Sequence, residues 1–353
     1  MDLKRRKYPN ASESYPLYFE RLFRYLKMPA WVSGAGLAVI MGVTFVAADA
    51  AANVSTLQRS AEISALLVSV ALAPILSLWV RNKGVTAYRN LTLLLSSPER
   101  QKLLTLLNRA FDQRRCLLFA LVVSTGGVIH HVALSYFEWG RIWWYSVVDI
   151  VLVGFVWWFV VASFLWLCVS IAWYSYLASK RVRFRLPITS HTRMNGLESF
   201  GTLSIIPAVA WGSVATFGTL STFDPYVLRQ LPQLIILYLS LDFLIAVSSM
   251  TAIFALPILG YRAILLPVKQ SLFLELDQMI GRMGLAGSVT TVTAEKASKN
   301  TYLLKLLEEA DRLKEWPLSM SSTVKFLLSY LIPGSVFLAR VILLFSFNVQ
   351  LPL

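Results

Sequence analysis

The chain has 353 residues, 56% hydrophobic and only 15% charged, with a mean hydropathy of +0.61. That balance excludes an ordinary soluble domain and indicates an integral membrane protein. The net charge of +14 flanks apolar runs, so membrane lipid and not nucleic acid is the expected partner.

Residues 1–28 set Tyr15, Tyr18, Phe19, Leu22, Phe23 and Leu26 against Glu20, Arg21, Arg24 and Lys27 at helical spacing, which predicts a cytosolic amphipathic segment against the inner leaflet or the base of the protein. These residues are basic and aromatic without an apolar core of signal-peptide type, so no cleaved leader is expected. Pro29 opens span 1, about 30–52, rich in Gly and Ala and suited to close helix packing. Span 2 covers about 61–80, with Pro74 inside. Residues 81–115 read as a cytosolic loop whose LTLLL and KLLTLL patterns predict amphipathic helices.

Span 3, about 116–137, holds Gly126, Gly127, His130 and His131, and a five-residue turn, Glu138–Ile142, makes it a hairpin with span 4. Trp143–Tyr176 stays apolar for 34 residues, about 51 Å of helix against the roughly 30 Å of a bilayer core. The surplus is expected to protrude into the cytosol or to tilt. A second cytosolic loop, 177–201, carries a basic run and the turn-rich PITSHTRMNG segment. Span 5 follows at about 202–222, and span 6 runs from Leu234 to Leu266 and continues as SLFLELDQMIGRM, again too long for the bilayer alone. Residues 268–324 form a cytosolic helical anchor segment, and 325–353 hold the last span. The transmembrane helices 1–6 thus occupy 29–267.

Cytosolic assignments carry 29 of the 33 Lys and Arg residues, whereas the opposite loops hold Arg59, Arg141 and Arg229. The positive-inside rule then places the N-terminus in the cytosol and the C-terminus outside. The expected fold is all-α and polytopic: seven transmembrane helices with cytosolic extensions of helices 4, 6 and 7.

Catalytic templates are missing. No HExxH, GxSxG, P-loop or paired-carboxylate motif occurs, His191 has no obvious partner, and no lysine sits mid-way along the last span for a Schiff base. Neither an enzyme nor a cofactor or metal is expected, and Cys116 and Cys168 imply no disulfide framework or CxxC site.

The informative residues are the ionisable ones inside the spans: His130, His131, Asp149, Asp242 and Arg340. A cation in hydrocarbon needs a carboxylate or a watery cavity, or must snorkel to the surface, so Arg340 pairs with Asp242 or Asp149, lines a pore or ligand site, or snorkels. With Tyr136, Trp144 and Trp157, the residues His130, His131, Asp149 and Asp242 make a candidate outer pocket with aromatic walls and a few polar groups. Interfacial aromatic belts, present in any membrane protein, are the competing explanation for the tryptophans.

In the last helix, Ser329, Tyr330, Leu331, Ile332, Pro333, Gly334, Ser335, Val336 and Phe337 follow a pattern of hydroxyl, Tyr, five residues, then a position before Phe. This motif, with the seven-span topology, the overlong fourth and sixth spans and the cytosolic helix feeding the last, resembles the insect odorant and gustatory receptor superfamily. The resemblance departs where that family has Thr and Gln, here Ser329 and Val336, and in the interior Pro-Gly. It implies a homotetrameric, plasma-membrane ion channel gated by a small apolar ligand, with the last helix around the pore. The pore-lining candidates are then Ser329, Tyr330, Pro333, Val336, Phe337, Arg340, Leu344 and Phe347. A ring of four Arg340 side chains facing that pore would oppose cation flow. The alternatives are a transporter with a midplane polar site, or a non-conducting receptor or scaffold.

Overall fold

The computed structural model describes residues 29–52, 56–139, 147–148, 150–184, 194–221 and 232–282, together with Val324 and Ser335. Among them the secondary structure is helical, with short turns and no strand. We number the helices α1 (Ala30–Ala52), α2 (Thr56–Thr92), α3 (Ser97–Ala110), α4 (Gln113–Trp139), α5 (Ile150–Arg181), α6 (Met194–Ser221) and α7 (Pro232–Arg282). In α5 the first eight residues, Ile150–Trp157, are wound as a π-helix before α-helical geometry takes over at Trp158.

Five of these helices are long and apolar enough to cross a membrane: Trp31–Ala51, Ile63–Thr92, Ile150–Arg181, Leu197–Gly218 and Leu244–Ser271. This agrees with an integral membrane protein. α4 follows the third expected span, whereas the last expected span, apart from Ser335, lies outside the described residues, as do residues 1–28.

Two boundaries differ from the sequence expectation. The second helix does not stop near residue 80 but continues to Thr92. Its last third is amphipathic: Arg81, Gly84, Val85, Ala87 and Tyr88 are buried while Asn82, Lys83, Thr86, Arg89 and Asn90 are exposed. Polar residues there reduce the mean hydropathy without breaking the helical stripe, so a hydropathy window closes the span too early. α6 also begins eight residues before its expected start, at Met194.

α2 is the centre of the bundle, packing most extensively on α6 and then on α1, and also touching α5. α5 packs on α7 and α4, and α6 on α7. Close approaches need glycine. A Cβ at Gly34 of α1 would collide with the Ala71 carbonyl of α2, and one at Gly127 of α4 would lie 2.5 Å from the Gly154 carbonyl of α5 and strike the Trp158 ring. α3 is a short amphipathic helix with Pro98 in its first turn, a position where the missing N–H costs nothing. It buries Leu103, Leu106, Leu107 and Ala110 and rests against α5.

Hydroxyls in the apolar interior satisfy themselves on their own helix, as required where no water competes. Ser77 donates to the Ala73 carbonyl at 2.6 Å, Ser124 to Ala120 at 2.6 Å and Thr216 to Gly212 at 2.7 Å.

Candidate functional site

The π-helical start of α5 gathers groups from three neighbours. Its last residue, Trp157, is buried and donates its indole N–H to Ser69 Oγ of α2 at 2.7 Å, while Ser69 in turn donates to the Leu66 carbonyl at 2.7 Å. Gly218 of α6 faces the same indole, since a Cβ there would come within 3.1 Å of Trp157 Cζ2. On the α4 side, Gly154 lies against Val128 and His131, whose Cβ would be 3.4 Å from a methyl at Gly154. Trp157 and Trp158 meet edge to face with ring centroids 4.8 Å apart, a favourable aromatic geometry. A π-helix carries wider turns than an α-helix and recurs at functional sites; here it sets two consecutive indoles toward different neighbours.

Of the residues expected in the outer pocket, the structure therefore brings His131 and Trp157 to one π-helical segment. His131 is half-buried. His130 and Tyr136 lie on α4 and Asp242 lies on α7, with side chains outside the described residues. Trp144, Asp149 and every pore-lining candidate, Ser329, Tyr330, Pro333, Val336, Phe337, Arg340, Leu344 and Phe347, also fall outside them.

Below this level α2, α5, α6 and α7 are tied by side chains. Tyr88 of α2 shares a hydrogen bond of 3.0 Å with Ser175 of α5 and donates toward the Ile171 carbonyl at 3.3 Å. Trp211 of α6 donates to Ser249 of α7 at 2.8 Å. Arg115 of α4 donates to the Tyr174 hydroxyl of α5 at 2.9 Å and is held by Asp112 at 3.2 Å. Beyond the bundle end, the Arg183 amide donates to Glu99 of α3 at 2.9 Å, and Lys102 donates to the other oxygen at 2.7 Å. The Lys102 ammonium first, and the Arg183 amide second, hold the Glu99 carboxyl below the usual carboxylate range.

Two buried ionisable groups lie outside the expected set. Arg81, expected in a loop, has a fully buried side chain, and Asp49 near the end of α1 is only 3% exposed. About 27 Å of helix separates Arg81 from Ile63, the start of the apolar segment. The signal for Arg81 was the spacing Ser77, Arg81, Gly84, Tyr88, which puts the guanidinium on the buried face. Ionisable side chains inside a membrane bundle are expensive and mark functional sites by default. Among the described residues, no three His, Cys, Asp or Glu side chains are grouped so as to hold a metal ion.

No family model matches the chain, and neither curated proteins nor solved structures yield a match.

Proposed function

We propose that the chain is one subunit of a homotetrameric, plasma-membrane ion channel with seven transmembrane helices, resembling insect chemoreceptors. The N-terminus is cytosolic, the helix within 325–353 surrounds a central pore, and a small apolar ligand gates it from the pocket beside the π-helix. The observation that carries the reading is α7. It runs unbroken for 51 residues, about 77 Å, more than twice the hydrocarbon thickness. A helix of that reach is what a span coupled to an extramembrane anchor requires. Trp157, Trp158 and His131 meet around this segment, and this grouping of two indoles with one polar ring supports the reading.

The test is current through bilayers containing purified protein, with subunit number measured on the same sample. A tetramer whose conductance or selectivity changes in Arg340→Ala supports the reading; a strictly monomeric protein sinks it. A second reading, a carrier with a midplane polar site, draws on the ionisable residues within the spans, of which His131 on α4 is half-buried. Saturable tracer flux without current, abolished by His131→Gln, would favour the carrier.

A further inference from the structure

We propose that the outer face of the last turns of α5 is a docking site for an anionic phospholipid. Val169, Trp173, Tyr176 and Lys180 follow one another at four-, three- and four-residue steps, and so form a single stripe along the helix. Val169 is 36% exposed and Trp173 46% exposed. The Trp173 and Tyr176 rings lie 6.1 Å apart, and the Lys180 ammonium sits 5.7 Å from the Tyr176 ring centroid, within cation–π range. The stripe is thus apolar at its inner end, aromatic in the middle and cationic at its tip. That order matches a lipid read from acyl chain through glycerol to phosphate, with Trp and Tyr at the headgroup level.

Charge complementarity selects an anionic lipid. Arg89, Arg100, Arg109, Arg114 and Arg181 are exposed at the same end of the bundle. Of the carboxylates at that end, Glu99 is engaged with Lys102 and the Arg183 amide and Asp112 with Arg115, while Glu198 of α6 lies by Tyr261 of α7. No acidic residue lies within four positions of Lys180, so no carboxylate next to it along its own helix competes for the ammonium. The lysine then meets the phosphate while the surrounding cations raise the local concentration of anionic headgroups. This site is independent of whether the protein conducts.

Native mass spectrometry of the full-length protein in neutral detergent, titrated with phosphatidylglycerol or phosphatidylcholine, tests it. The parent should prefer phosphatidylglycerol by about fivefold, the equivalent of one cation at an anionic surface, and Lys180→Gln should erase that preference. Arg100→Gln, which removes the same charge away from the stripe, should keep it, and Trp173→Ala should weaken both lipids alike. Three results would overturn the site. These are an equal loss in Lys180→Gln and Arg100→Gln, no preference in the parent, and soluble glycerol phosphate competing as well as the intact lipid.

Discussion

Adjacent glycines in α4 should respond to the same substitution in opposite directions. Gly126 faces outward, and a Cβ there meets nothing within 4 Å, whereas a Cβ at Gly127 meets the Gly154 carbonyl at 2.5 Å and the Trp158 ring. Alanine in a helix interior gains up to about 1 kcal/mol over glycine in either position. That gain is common to both, so the difference between the variants isolates the crossing of α4 and α5. Forcing a methyl into packed backbone costs about 1–3 kcal/mol. Gly126→Ala should therefore be slightly stabilising and Gly127→Ala destabilising, separated by about 1–3 kcal/mol in equilibrium unfolding from mixed micelles. Trimming the ring in Gly127→Ala, Trp158→Ala should not restore stability, because the carbonyl remains in place. Equal effects at the two positions would refute the close crossing, and rescue by Trp158→Ala would locate the clash in the side chain alone.

Other expectations follow from the same contacts. A Ser69→Ala, Trp157→Phe double-mutant cycle should give a coupling of about 0.6–1.7 kcal/mol, the range for interhelical hydrogen bonds in membranes; strict additivity would remove the bond. Arg81→Ala should lower stability by about 3–5 kcal/mol, since truncation strips the groups around a buried charge and leaves a void. A loss below about 1 kcal/mol would mean that the guanidinium reaches water. Because the folded value of Glu99 is lowered, its contact is fully present above the unfolded carboxylate pKa of about 4.3 and is lost as pH falls through the lower folded value. Hydrogen exchange at the Arg183 amide should therefore gain an acid-dependent step that vanishes in Glu99→Gln. For Arg340, additivity in an Asp242→Asn, Arg340→Gln stability cycle would reject a direct ion pair between them.

Much of the architecture was legible as composition and period. Long apolar runs announced α1, α5 and α7, and the overlength of the last reappears as an unbroken helix. Hydropathy averaging lost the end of α2, because a helix that leaves lipid while remaining inside protein changes the partner of its polar face before it changes direction. The same averaging hid Arg81, whose burial depends on α2 being surrounded by other helices. The Trp157–Ser69 contact spans 88 residues, and no local pattern specifies which hydroxyl an indole will find. The π-helix has no composition of its own, so only the geometry reveals it.

The uninterrupted length of α7 has a mechanical consequence. Pro257 and Pro267 each remove a backbone donor, leaving two points where bending is cheapest. From Pro267 to Arg282 the helix is about 22 Å long, so a change of about 10° at that proline sweeps its tip through about 4 Å. A small tilt in one half of this rod thus becomes a displacement of about three-quarters of a helical turn at the other, with no loop between them to absorb the stroke.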